Sequence, residues 1–323
     1  MAKFRWGLIG CGEVARRRVA QAIQAHPQCE LVAACRRNET ALCEFCEDYS
    51  VPSSFTDADA LIADASLDAV YIATPVGCHR EQAVKAAQAG KHVLLEKPMA
   101  LNLMECEAIA QAASAANVTL GIAYYRRFYP VVIRMKELIE SGTIGTPLSI
   151  RAATATRALT PDFEGYWRVD PEQSGGGPLI DLGSHRLDLF RTFFGDPTQA
   201  HAICATRCGD YAAEDCASAL FRFGDGIHGT LECFFGAGTD PDEFSILGTQ
   251  GRLDATPLNR GELQIETDGK RRCESHPPHE NYNVPLVADF VAAIEQGRCP
   301  TVSGEDGRAV NAAVALAYQA AKA

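Results

Sequence analysis

Phe4-Arg5-Trp6-Gly7-Leu8-Ile9-Gly10-Cys11-Gly12-Glu13-Val14-Ala15 is the stretch that decides the fold of this chain. Phe4 to Ile9 is an apolar run of strand length, and Glu13 to Ala25 has helical character. Between them stands Gly-x-Gly-x-x-Ala, the turn that joins a strand to a dinucleotide-binding helix. Gly10 allows the tight turn, and Gly12 lets the backbone approach a pyrophosphate. Ala15 is small enough for close helix–strand packing. Free amides at the start of the Glu13 helix favour phosphate oxygens. Gly10, Cys11, Gly12, Glu13 and Val14 are therefore the first candidate cofactor-binding residues.

Outward from this turn, short apolar runs alternate with helical patterns through residue 123, as expected of a parallel sheet covered by helices. Strands are expected over Glu30–Cys35, Ala69–Ala73, Lys91–Leu95 and Val118–Ala123, and helices after Asn38, over His79–Ala89 and over Leu101–Ala116. The second strand ends in Cys35-Arg36-Arg37-Asn38, with two guanidinium groups and no acid. An acid there bonds a ribose 2′-hydroxyl, whereas guanidinium suits a 2′-phosphate. Cys35, Arg36 and Arg37 are thus candidate cofactor-binding residues, and the two arginines favour NADP(H) over NAD(H). Lys97, in Glu96-Lys97-Pro98, follows a strand that should end at the ligand-binding edge of the sheet. Its ammonium there can stabilise alkoxide character during hydride transfer.

The second half changes character. A helix is expected over Tyr129–Ser141, a long strand over Pro147–Arg157, a loop over 158–177 and a helix over Leu179–Phe194. Strand candidates then follow one another at 199–207, 216–223, 227–236, 242–248 and 262–267, with a hairpin turn at Leu247–Leu253 and helices from about 282 and 306. Consecutive strands predict an antiparallel or mixed sheet. Asp181 and His185 stand at i and i+4 and share a helix face; the imidazole can exchange a hydroxyl proton. A metal set of Asp181, His185 and Asp188 lacks the ligand density of a zinc enzyme, and no metal is expected.

With 323 residues the chain suits two domains, taken here as a dinucleotide-binding domain 1–123 and a substrate-binding and oligomerisation domain 124–323. A net charge of −11 argues against a nucleic-acid surface. No apolar stretch reaches the roughly 18 residues of a membrane span, and the N-terminus does not read as a signal peptide. The thirteen cysteines are dispersed, and Cys29, Cys35, Cys204, Cys216 and Cys233 read as small buried hydrophobes. This points to a reducing, cytoplasmic compartment. Cys43 and Cys46 have redox spacing but read as two thiols on a surface helix.

In order along the chain, Gly7-Leu8-Ile9-Gly10-Cys11-Gly12, Tyr71-Ile72-Ala73-Thr74-Pro75, His79, Gly90 to Pro98, Gly142-Thr143-Ile144-Gly145 and Gly175-Gly176-Gly177 before Asp181 and His185 resemble the Gfo/Idh/MocA oxidoreductases. The resemblance spans essentially the whole chain. It implies a Rossmann domain followed by an α/β domain with a large open sheet, through which subunits associate as homodimers or homotetramers. It implies catalytic roles for Lys97, Asp181 and His185. It implies that Thr74, Pro75, His79 and Glu96 line the nicotinamide half of the cofactor site, that Trp167 and Arg168 reach the cofactor, and that Tyr282 lies on the nicotinamide side. Tyr125 stands where many members carry Asn. The expected activity is NADP(H)-dependent hydride transfer to or from a secondary alcohol or ketone of a sugar, cyclitol or dihydrodiol. A nicotinamide-retaining glycosidase and a non-enzymatic dinucleotide-binding sensor are the alternatives.

Overall fold

The structure is a computed structural model that describes residues 3–157, 159, 166–224 and 226–322. The chain forms two compact units, one of residues 1–125 and 280–308 and one of residues 126–279 and 309–323.

The first unit is built on a six-stranded sheet of β1 (Phe4–Ile9), β2 (Cys29–Cys35), β3 (Ser53–Phe55), β4 (Ala69–Ile72), β5 (His92–Leu95) and β6 (Leu120–Ile122). The strand order is β3-β2-β1-β4-β5-β6, and every pairing is parallel. Parallel strands covered on both faces read as unbroken apolar runs, and all four residues of β4 are buried. The order reverses direction between β1 and β4, so the crevice at the carboxyl ends of these two strands is the expected ligand position. Asn38 caps the helix Glu39–Tyr49 as anticipated, its side chain accepting the Ala41 N–H at 2.9 Å.

The expected single cut at 123/124 differs from these units, because residues 280–308 return to the first one. The cause is packing. Phe290, on the helix Asn283–Gln296, lies 5.6 Å from the Trp6 ring and fills the space above Gly121, where a Cβ would sit 2.8 Å from its ring. The edge strand β6 gains a backbone partner as well, Ile122 N–H donating to Val302 at 3.0 Å.

The second unit is an eight-stranded sheet of β7 (Pro147–Thr156), β8 (Pro197–Ala205), β9 (Cys216–Phe223), β10 (Ile227–Phe235), β11 (Asp242–Gly248), β12 (Gly251–Asp254), β13 (Glu262–Thr267) and β14 (Lys270–Ser275). Its order is β14-β13-β12-β11-β7-β10-β9-β8, antiparallel except for β7 with β10. Two of these strands were not anticipated. β12 completes the hairpin expected at Leu247–Leu253. β14, whose Lys270-Arg271-Arg272 start has no apolar alternation, is turned back by Asp268 and Gly269, both at positive φ.

Residues alternate between the sheet's two faces. Ala217, Ala219, Phe221 and Phe223 of β9 are buried, with Phe190 of the helix Ser184–Phe194 6.1 Å from Phe223 and from Phe244. On the opposite face, Ile203 is 75% exposed, Leu220 and Leu247 are exposed, and Arg151 pairs with Glu232 at 3.4 Å. Of the five cysteines expected to be buried, Cys29, Cys35 and Cys233 are. Cys204 and Cys216 are partly exposed, because their strand ends lie near the β8–β9 connection.

Candidate active site

In the first unit, Gly10 has φ +95°, and a Cβ on it would fall 2.6 Å from the carbonyl carbon of Ala73. Only glycine lets the end of β1 run this close to the end of β4. Gly10 N–H donates to the Cys35 carbonyl at 2.9 Å, tying the turn to β2. The helix that follows carries a π-type stretch, Ala15–Val19, of the kind that recurs at functional sites. Such a bare turn at the strand-order reversal fits a dinucleotide pyrophosphate.

Arg36 donates through Nη1 to the carbonyl oxygen of Cys11 at 2.7 Å, so it also shapes the turn. Arg37 is exposed. Cys11 itself is buried, and burial pushes its thiol up to about 12, so it packs and does not react. Glu13 is exposed and pairs with Arg17 at 2.6 Å; Val14 is half-buried.

The ends of β4 and β5 are stapled by one side chain. His79 is completely buried, with Nε2 2.9 Å from the Thr74 carbonyl and Nδ1 3.1 Å and 3.3 Å from the carbonyls of Pro98 and Met99. Burial lowers its pKa, against the pull of those carbonyls. An imidazole with no exposed surface has no face to offer a cofactor, so His79 supports the turns on either side of the site. Thr74 Oγ1 donates to Gln82 Oε1 at 2.7 Å, and Pro75 precedes the short 3-10 turn Val76–Cys78.

Glu96 accepts from the Tyr71 hydroxyl at 2.8 Å and from the Lys97 amide at 3.2 Å. Tyr71 is held in turn by Asn283 Nδ2 at 3.1 Å. Lys97, half-buried, therefore leaves a turn fixed from two sides. Tyr282 stacks on Tyr125, ring centroids 5.6 Å apart, and the Arg18 guanidinium carbon lies 5.0 Å and 6.0 Å from the two rings. Burial works against the charge of Arg18, but Tyr125 and Glu96 more than offset it and its pKa is raised. Arg18, Tyr71 and Asn283 escaped the sequence reading. Tyr71 stands in the Tyr71–Pro75 stretch that carries the family resemblance, and helical phase places Arg18 one turn beyond the glycine fingerprint, but neither signal assigns a role.

In the second unit, Asp181 sits in a second π-type stretch, Leu179–Gly183, and the buried His185 lies in the first turn of the helix Ser184–Phe194. Arg168 Nε lies 3.6 Å from Asp181 Oδ2, and its guanidinium carbon stands 4.9 Å from the centre of the Trp167 ring. Arg168, expected at the cofactor, thus meets the acid of the acid–imidazole pair. Asp188 accepts from Arg127 with both oxygens, at 3.0 and 2.7 Å, and is fully buried. It is committed to that guanidinium. Phe163, Asp162 and Glu164 of the expected loop lie outside the described residues. Lys97 belongs to the first unit, and Asp181 and His185 to the second.

Two other cysteine groupings stand apart. On the helix Glu39–Tyr49 Cys43 is exposed and Cys46 is half-buried, and that burial raises the Cys46 thiol, the opposite of a reactive thiolate. The ligand atoms of Cys208, Asp215 and Cys216 lie within 4.8 Å of one another. The Asp215 carboxylate already accepts the N–H groups of Arg207, Cys208 and Gly209 and the Tyr211 hydroxyl. It is a loop clasp.

The family described as an oxidoreductase family with an NAD-binding Rossmann fold, GFO/IDH/MocA, matches residues 4–124. The GFO/IDH/MocA C-terminal domain matches residues 132–254. The chain is similar to oxidoreductase P35 of Formosa agariphila, 35% identical over 90% of each chain. It is also similar to D-xylose 1-dehydrogenase (NADP(+)) 2 of Haloferax volcanii, 30% identical over 98% of this chain and 97% of the other. Among solved structures, a levoglucosan dehydrogenase in complex with NADH matches it with a TM-score of 0.92 and 25% identity, over 99% of this chain and 97% of that one.

Proposed function

We propose that this chain, which belongs to the GFO/IDH/MocA oxidoreductase family, prefers NADP(H) and acts on a secondary alcohol or ketone of a sugar, cyclitol or dihydrodiol. That it is an NAD(P)-dependent oxidoreductase follows from the family and its relatives. The observation that carries the proposal is the glycine cradle at the β1/β4 reversal, followed at the ends of β2 and β5 by Arg36–Arg37 and Lys97. The relatives named for xylose and levoglucosan support a sugar-like substrate.

Bound nicotinamide supplies or accepts hydride at its C4. Lys97 donates a hydrogen bond to the substrate oxygen and favours its alkoxide character. His185 takes the hydroxyl proton in the oxidative direction and returns it in the reductive one. Asp181, beside Arg168, orients the imidazole or the substrate. The alcohol thus loses one hydride and one proton and leaves as the ketone. Arg36 and Arg37 provide the positive charge for a 2′-phosphate, with no acid on that strand end to repel it.

The open face of the second sheet, with Ile203, Leu220 and Leu247 exposed, is assigned to association with a second copy, as a homodimer or homotetramer. No described helix is long and apolar enough to cross a membrane. A reducing, cytoplasmic compartment is assigned from the thirteen free thiols.

The test is a panel of aldoses, polyols, inositols and dihydrodiols, each with NADP+ and NAD+, followed by nicotinamide absorbance. Turnover of a member of the panel, faster with NADP+, is expected. Absence of turnover across the panel in both directions would remove the substrate assignment, and faster turnover with NAD+ the cofactor assignment.

A further inference from the structure

We propose that Glu214 is a positioning residue for Asp181 and His185, its carboxylate fixing the backbone from which their helix starts. The inference rests on the catalytic roles proposed for those two residues.

Glu214 lies in the connection between β8 and β9, far in sequence from the helix it holds. Its Oε2 accepts the Gly177 N–H at 2.9 Å, and its Oε1 accepts the Leu179 N–H at 3.3 Å and the Tyr318 hydroxyl at 2.7 Å. The first amides of a helix have no partner within it, and a carboxylate there also meets the positive end of the helix dipole. The hold passes directly to the acid of the pair, because the Gly177 carbonyl accepts the Asp181 N–H at 3.0 Å. His185 follows one turn later on the same helix.

The arrangement also explains the run Gly175-Gly176-Gly177. A Cβ on Gly177 would fall 1.9 Å from the Glu214 carbonyl oxygen, and one on Gly176 would fall 2.1 Å from the Tyr318 hydroxyl. Side chains at these positions would push away the residues that hold the helix start. Burial raises the Glu214 pKa, and the three donors work against that rise. Loop, glycine run and C-terminal helix thus converge on one carboxylate beneath the π-type stretch Leu179–Gly183, in which Asp181 sits.

Glu214→Gln in the full-length chain tests this. A glutamine keeps the size but turns one acceptor into an NH2 donor, which must face one of the backbone N–H groups. Two readouts are taken against the unsubstituted protein: steady-state turnover on a substrate from the panel, and hydrogen–deuterium exchange by mass spectrometry. Expected are a kcat at least tenfold lower, a dinucleotide dissociation constant within twofold, and faster exchange concentrated in peptides covering 177–190. Tyr318→Phe removes one donor and leaves the carboxylate, and should produce the same pattern more weakly. Exchange over 177–190 indistinguishable from the unsubstituted protein overturns the proposal, whether or not a substrate has been found. Faster exchange there with unchanged kcat overturns it as well, by making the hold structural only. If the unsubstituted protein turns over no substrate, the assigned reaction fails, and the exchange comparison still decides whether Glu214 holds the segment.

Discussion

The Nδ1 of His79 lies 3.1 Å from the carbonyl oxygen of Pro98, the residue after Lys97. The other ring nitrogen reaches the Thr74 carbonyl, so one buried imidazole joins the turns that follow β4 and β5. Replacing it with an apolar residue strips partners from buried carbonyls, at roughly 1–3 kcal/mol. His79→Leu should lower the urea midpoint accordingly and reduce kcat through the loosened Lys97 turn. An unchanged midpoint would refute the staple.

Lys97→Met and His185→Ala test the chemistry. Loss of one electrostatic donor to a developing oxyanion costs about 10²–10³ in rate, and loss of a general base about 10²–10⁴. Both variants should stay folded and bind NADPH with near-parent affinity by fluorescence titration. His185→Ala should also lose one limb of the pH–rate profile. Parent-like kcat in either variant removes that residue from the mechanism.

Cofactor preference is read at the end of β2. A charge-assisted contact to a 2′-phosphate is worth about 1.5–3 kcal/mol, or one to two decades of affinity. Arg37→Ala should weaken NADPH binding by about that factor and leave NADH nearly untouched. Arg36→Asp should reverse the preference, and, because Arg36 also holds the Cys11 carbonyl, weaken both cofactors somewhat. Calorimetric titration giving NADH the lower dissociation constant in the unsubstituted protein would defeat the assignment.

Acid stability offers a test confined to the second unit. Glu274 on β14 is lowered from 4.5 to about 2, first by its hydrogen bond from Arg134 and then by that from His276. A depressed folded pKa gives stability that is fully present above the unfolded value and lost as pH falls from about 4.5 towards 2. Glu274→Gln should therefore melt below the unsubstituted protein at pH 7, with the gap narrowing through that window. A gap that stays constant down to pH 3 would rule out the linkage.

Association through the open sheet face is checked by sedimentation. The unsubstituted chain should run as a dimer or tetramer at micromolar concentration, and Ile203→Asp with Leu220→Arg should shift it towards monomer. A stable monomer in the unsubstituted chain would dismiss the assignment.

Local spacing carried much of the fold and of the cofactor turn. Gly10 and Gly12 after an apolar run, Asn38 before Glu39 and the unbroken apolar β4 report short-range constraints, where sterics, capping and burial act on residues near in sequence. The second sheet is legible as a succession of strand candidates without intervening helices, and burial alternates along β9, β10 and β11. Lys97 and Asp181–His185 are proposed as site residues from their place after a strand and on a helix, where position and helical phase limit what a side chain can reach. β14 was missed because its partner β13, and not its own composition, makes it a strand.

What the sequence by itself determined was the Rossmann unit, the mixed sheet that follows and the residue types available for hydride-transfer chemistry. Tertiary structure alone decided that 280–308 belong with the first unit, that His79 is buried between two turns, that Arg168 meets Asp181 and that Glu214 holds the glycine run. The reason is physical. These contacts join residues far apart in the chain, and each depends on burial and on which donors a particular carboxylate or carbonyl meets, quantities that no local pattern of residues encodes.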